Sequence, residues 1–469
     1  MRLGPKGARL ALGVLFFLSG VAALGIETTW LRWFRTLFGA TAPAASATLV
    51  AFFAGHALGS AFAARWLPRA RRPLRAYGLL ELAAAGAALL VPILLALGSG
   101  VAVSVYPSLA ESPLVLAAQR FALAIFATLP AAACYGATLP VLAAALIRDS
   151  SGLGTTGVAF YAANTAGAAI GAGLATFVLP EILGVRGSYG AAAALSLFAG
   201  TCALILARRS GENVAAVLPP AVAPITSPAP RATSRKRKAP PAQPPMTAAP
   251  ANAQHLPFVG AALSGFVAFA AQVLLVQSFA QVLNGSIYAF GAVLVTVLIA
   301  LALGAAVVAT IETHTRAEPR ALLAFALAVA GLTLAGFPQL LYLQTHGLRY
   351  VGAATPGAGY LGAALAATFV AAGPALLALA VLFPLCLALT ARNLGAAADE
   401  ATPLRVGRAV GRLAAVNTAG AIAGALAAPY LLLPAFGLWP SFEKTLMPFV
   451  NAVRIGVGLP PASTLTRQP

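Results

Sequence analysis

Five ionisable side chains stand inside stretches that are otherwise apolar enough to cross a bilayer. They are Glu27 and Arg32 in "LSGVAALGIETTWLRWF" (18–34), His56 in "AFFAGHALGS", Glu81 in "GLLELAAAGAALL" and Arg120 in "LAAQRFALAIF". A carboxylate at membrane depth costs about 3 kcal/mol or more, so such a group is paired, neutralised or kept for a ligand. For Glu27 three readings stand open: an ion pair with Arg120, a substrate or proton site, or a protonated carboxyl hydrogen-bonded within the bundle. Arg120 is placed at matching depth by the ~1.5 Å helical rise. Arg32 suits Glu27 poorly, because five residues along a helix is about 140° round it. Glu81 has no evident basic partner at its depth and reads as a proton-coupling group or a hydrogen-bonded packing residue. His56 can relay protons, or hold a neighbouring backbone carbonyl as a neutral ring.

The elements that position these groups follow from composition. The chain has 469 residues, 60% hydrophobic and 9% charged, with a mean hydropathy of +0.88. That excludes an ordinary soluble globule and predicts an all-α, polytopic bundle whose first partner is the lipid bilayer. The formal charge of +19 sits in short clusters between apolar runs: Arg2, Lys6 and Arg9, then Arg65 to Arg75, then Arg405, Arg408 and Arg412. This is positive-inside patterning rather than a nucleic-acid face, and it puts the N-terminus in the cytoplasm. Cys134, Cys202 and Cys386 are scattered in apolar runs with no metal-ligand spacing, so neither metal nor other cofactor is implied.

Apolar runs predict spans near 10–33, 44–66, 75–98, 114–147, 154–180 and 186–207, then 257–282, 286–311, 320–344, 359–392 and 405–434. The first of these is a retained helix rather than a signal peptide, because it recurs. "LSGVAALGIETTWLRWF" at Leu18 realigns with "LSGFVAFAAQVLLVQSF" at Leu263, and the register holds through Gly59 and Gly304. "YAANTAGAAIGAGLA" at Tyr161 likewise realigns with "LAAVNTAGAIAGALA" at Leu413. Asn164 and Asn417 are thus counterparts, lining a cavity or bonding between helices. The counterpart of Glu27 is Gln272, that of Arg32 is Gln277 and that of Glu81 is Ala326. Ionisable chemistry therefore belongs to the first half alone.

The chain divides into a six-helix half (1–207), a basic, proline-rich cytoplasmic linker (208–256), a second membrane half (257–438) and a tail (439–469). The "RKRK" of the linker suits anionic lipid headgroups. Two parallel repeats joined by a long loop make an MFS-like arrangement, the major facilitator fold, with 11–12 transmembrane helices around a midplane cavity. Small residues at four-residue spacing (Gly55 and Gly59; Ala163, Gly167 and Gly171; Gly420 and Gly424) let helices approach closely. Pro130, Pro140, Pro374 and Pro384 are expected to kink long helices.

"FLSGVAALGIETTWLRWFRTLFG", "AFFAGHALGS", "RRPLRAYGLLEL", "YGATLPVLAAAL" and "YAANTAGAAIGAGLATFVLPEILG" together resemble the membrane domain of the bacterial fused spermidine-synthase-like proteins. The likeness covers about residues 14 to 438. In that family an MFS-like bundle precedes a soluble aminopropyltransferase-like domain. Here about 35 residues follow the last span, with no glycine-rich strand-to-helix turn, so the chain is not expected to be an enzyme. In "RWLPRARRP", Pro68 stands where the family and facilitators usually carry an acid. The resemblance implies transport of a small organic solute, including a polyamine-like cation, in the bacterial cytoplasmic membrane. It equally implies an anchor or scaffold that docks a soluble aminopropyltransferase-like protein or the subunits of a larger membrane complex.

Overall fold

The computed structural model describes residues 5–38, 42–67, 72–109, 112–146, 157–209, 251–283, 287–314, 318–351, 358–394 and 402–442. Most of the expected linker and tail, at 210–250 and 443–469, lies outside the described residues, as does Pro68. Every regular element among the described residues is helical. In the first half these are α1 (Pro5–Phe38), α2 (Ala42–Trp66), α3 (Pro73–Leu109), α4 (Pro113–Leu146), α5 (Val158–Gly173) and α6 (Leu179–Arg209). The second half has α7 (Ala251–Val282), α8 (Ile287–His314), α9 (Pro319–Gln344), α10 (Ala358–Ala380), α11 (Leu382–Asn393), α12 (Thr402–Ala427) and the short α13 (Leu433–Phe436).

Ten of the described helical stretches are long and apolar enough to cross a membrane. One, Val158–Arg209, runs for 52 residues, about 78 Å at ~1.5 Å per residue, more than twice the thickness of the hydrocarbon core. Gly184 breaks it, with φ 67° and ψ 172°, a backbone that glycine adopts without a Cβ penalty. Spans five and six therefore meet at a single residue, and counting them separately gives the eleven crossings read from the sequence. Not every proline interrupts its helix. α4 runs on through Pro130 and Pro140, whereas α10 gives way to α11 at Val381. Pro384 explains that break, since its ring and missing N–H disrupt the turn back to the carbonyl of Ala380.

The repeat in the sequence is a repeat in packing. A Cβ on Gly20 would run into the backbone carbonyl of Asn164, and one on Gly265 into that of Asn417. The missing side chains let α1 lie directly on α5, and α7 on α12. Each half carries a π-helical turn at the corresponding place, Leu174–Val178 after α5 and Ala428–Leu432 after α12. A feature matched in this way belongs to the scaffold common to both halves. The first residues of the expected tail are helical, and Phe442 is buried with its ring 4.8 Å from that of Phe337 on α9.

Helix neighbours close a ring around the centre of the molecule: α1 packs on α5, α5 on α8, α8 on α7, α7 on α12, α12 on α2 and α2 on α1. The halves meet along two seams, α5 with α8 and α2 with α12. Aromatic pairs also join the halves, Phe53 of α2 with Phe269 of α7 at 4.3 Å and Phe177 of the π-helical turn with Tyr288 of α8 at 5.9 Å.

Candidate functional site

The two buried acids have opposite environments. Glu81 is wholly buried and fully engaged within the first half. Ser19 Oγ of α1 donates to Oε1 at 2.5 Å, and Ser196 Oγ of α6 donates to Oε2 at 3.0 Å. Tyr135 of α4 in turn donates to Ser196 Oγ at 3.1 Å. Tyr77 Oη lies beside the same carboxyl without completing a hydrogen bond of good geometry. Of the two readings left open for Glu81, the hydrogen-bonded packing residue is the one these contacts describe: hydroxyls, not a base, hold it. Four helices of one half share this network, which makes Glu81 a packing centre.

Glu27 is 4% exposed, and its Oε2 has no hydrogen-bond partner. The expected pair with Arg120 does not form among the described residues. Equal depth fixed the height of the two groups but not their direction. α4 packs chiefly on α2 and α3, and Arg120 lies half-buried in the N-terminal part of α4 near Tyr430, whose ring is 6.5 Å from that of Phe121. On the α1 wheel, Gly20, Val21 and Phe17 lie against α5, while Trp30 meets Phe52 of α2 at 6.1 Å. At 100° per residue Glu27 falls between those two sides, on the face turned into the ring. Its counterpart Gln272 occupies the equivalent face of α7. That side chain is 1% exposed, and its Nε2 also lacks a partner.

Arg32 answers to a structural need that the sequence did not show. Its Nη2 donates to the backbone carbonyl of Thr176 at 2.6 Å, within the π-helical turn. A turn of this kind departs from the ordinary i to i−4 ladder, and π-bulges occur often at functional sites. Gly291 of α8 faces Thr176 at the seam between the halves. Arg32 Nε and Thr176 Oγ1 are buried and unpartnered. Arg32 and Thr176 thus leave two polar atoms unmatched at the π-helical turn, with Arg32 about 140° round α1 from Glu27. A buried polar group left unmatched costs about 1–3 kcal/mol. The repeat-related Glu27 and Gln272, one from each half, form the candidate site, while Arg32 and Thr176 make a separate buried polar junction at the seam.

The remaining candidates serve packing. His56 Nδ1 contacts the carbonyl of Phe52 at 3.2 Å, and its ring lies tilted by 46° against that of Phe52 at 4.2 Å. Asn164 Nδ2 donates to the carbonyl of Phe16 at 2.8 Å, tying α5 to α1. Asn417 sits at the equivalent crossing, its carbonyl against Gly265. A separate, largely apolar cleft of about 540 Å³ opens between the C-terminal parts of α1 and α3 and the start of α6, beside Trp33, Arg186 and Tyr189.

A polytopic helical chain whose two halves repeat one another in sequence and packing has the major facilitator architecture. Solved structures agree. A bacterial homologue of the iron transporter ferroportin, in an outward-facing state with soaked iron, superposes with a TM-score of 0.54 at 13% identity, over 96% of this chain and 97% of that one. The major facilitator superfamily proton:xylose symporter XylE, bound to 6-bromo-6-deoxy-D-glucose, gives 0.51 at 12% identity, over 97% and 96%. No protein-family model and no curated protein matches the sequence. The chain is an integral membrane protein with the major facilitator fold.

Proposed function

We propose that this protein is a secondary transporter of a small organic solute, working by alternating exposure of a site inside the ring. The observation that carries the reading is the repeat-related pair Glu27 and Gln272. Both are buried, face the ring from opposite halves and keep a polar atom unmatched. Facilitator sites lie near the midplane at the interface of the repeats, and a repeat-related polar pair on the first helix of each half supports a site there. The basic clusters support a bacterial cytoplasmic membrane with the N-terminus inside. A cysteine placed in the 208–256 linker then resists impermeant thiol reagents on intact cells, and ready labelling reverses the orientation.

The test is solute counterflow into proteoliposomes under an imposed pH gradient. Wild-type protein accumulates label, and Glu27→Gln does not. The engagement of Glu81 favours one second reading, since it withdraws that acid from proton coupling. In that reading the bundle is a scaffold for a soluble aminopropyltransferase-like partner, as in the family that the motifs resemble. Protein that moves no solute but co-purifies with such a partner decides for it.

A further inference from the structure

The cleft of about 540 Å³ lies outside the ring, where α3 and α6 pack on each other and α6 packs on α1. Leu89, Pro92 and Leu95 of α3 line one side, and Trp33 and Tyr189, with rings 4.7 Å apart, line the other. The Tyr189 hydroxyl donates to the Ala88 carbonyl at 2.6 Å and accepts from Trp30 Nε1 at 2.9 Å, so tyrosine offers the cleft only its ring. Thr36 and Ser99, also in the lining, turn their hydroxyls back to carbonyls of their own helices, Trp33 at 2.7 Å and Ala96 at 2.9 Å. Arg186 is left as the polar group that can meet a ligand. Among the described residues it forms no ion pair, and no acid lines the cleft.

The backbone says where along the membrane this cation stands. Arg186 follows by two residues the break at Gly184, where spans five and six meet and the chain turns back, so it belongs at a bilayer surface. Trp33 and Tyr189 are the residue types that sit at headgroup level. Beside the cleft α3 presents Leu90, Ile93 and Leu97, each more than half exposed, and an apolar strip on a spanning helix faces lipid. An occupant must therefore enter from the bilayer, lie against apolar walls and carry a negative charge to Arg186. A water-soluble anion would leave the aromatic and leucine surfaces uncovered. A zwitterionic lipid would bring an ammonium for which the lining holds no counter-charge. We propose that the cleft is a binding site for an anionic phospholipid, its phosphate paired with Arg186 and the start of its acyl chain laid along Trp33, Tyr189 and Leu89. The guanidinium fork suits a phosphate, which it can hold through two parallel bonds.

The test uses the purified, delipidated chain in neutral detergent, with phosphatidylglycerol and phosphatidylcholine of identical acyl chains as probes. Native mass spectrometry counts the lipid retained, and thermal shift reports the affinity. Phosphatidylglycerol is expected to bind about fivefold more tightly, the preference that one basic residue at a membrane surface confers. Arg186→Gln removes the preference and leaves phosphatidylcholine binding as it was. A Cβ on Gly190 meets nothing within 4 Å, so Gly190→Leu can fill the cleft and weakens both lipids, as does Ala96→Leu from the opposite wall; melting without lipid reports that each variant is folded. Equal binding of the two lipids, a preference that survives Arg186→Gln, or binding indifferent to both filling variants overturns the proposal. So does a chain that retains neither lipid, and so does glycerol 3-phosphate competing as well as the intact phospholipid, which would make this a site for a soluble phosphate.

Discussion

Arg32 donates from Nη2 to the main-chain carbonyl of Thr176, 2.6 Å away, and so ties α1 to the π-helical turn at the seam with α8. The bond reaches from one helix to the backbone of another at the point where the regular ladder changes pitch. Lysine presents a point charge on a flexible stem and lacks the fixed fork of donors that holds the carbonyl. Arg32→Lys should therefore lower stability by about 1.5–3 kcal/mol, the range for a hydrogen bond to a charged group. Thermal unfolding in detergent checks this, and an unchanged melting temperature removes the tie.

The Glu81 network separates shape from hydrogen bonding. Glu81→Leu strands the Ser19 and Ser196 hydroxyls in an apolar interior and should cost about 1–3 kcal/mol for each group left unmatched. Glu81→Gln keeps one acceptor oxygen and adds a donor that a rotated serine hydroxyl can accept, so it should lose less than half as much. Equal losses in the two variants would deny the serines their role.

Stability measurements can also verify that Glu27 and Arg120 are independent. Groups that share no contact contribute additively, within about 0.3–0.5 kcal/mol. Glu27→Gln, Arg120→Gln and the double variant should obey that sum. Recovery in the double variant would restore the ion pair.

Two glycines form a matched control for the helix crossings. Gly20 lies against the Asn164 carbonyl, whereas a Cβ on Gly86 of α3 meets nothing within 4 Å. Gly20→Ala should destabilise by about 1–3 kcal/mol through overpacking. Gly86→Ala should be neutral, or stabilising by up to about 1 kcal/mol from helix propensity.

In the second half, Arg392 and Glu312, at the ends of α11 and α8, form an ion pair of 3.7 Å, with the arginine side chain 43% exposed. Exposed pairs contribute about 0–1 kcal/mol. Arg392→Gln should change the melting temperature little, and any change should shrink in 0.5 M salt.

Much of the fold was legible because hydropathy and internal repetition act over long stretches. The spans, the duplicated register and the glycine crossings all follow from which residues recur. The site was legible only in part. Glu27 and Glu81 stood out as acids in apolar runs, yet their fates were not visible, because depth along a helix says nothing of azimuth. Ser19 and Ser196 are small hydroxyls that look alike in a sequence whether they face lipid or a carboxylate. The role of Arg32 depends on a π-helical turn, for which the residues around Thr176 give no local signature. Gln272 was reachable, since the repeat pairs it with Glu27, but only its burial shows that its amide is unmatched.

The crossings of Gly20 on Asn164 and Gly265 on Asn417 set backbone against backbone inside each half. Between the halves, Phe53 meets Phe269 and Phe177 meets Tyr288 ring to ring. Main chain in contact has no slack, while aromatic rings slide and tilt at small cost. Gly407 and Gly411 of α12 also lie against the main-chain carbonyls of Pro140 and Ser60. Each half is therefore a stiff lever whose bearings are the two seams, ring on ring at some points and close-packed helix at others. Distances measured by paired spin labels should stay fixed within a half and spread only between labels placed across those bearings.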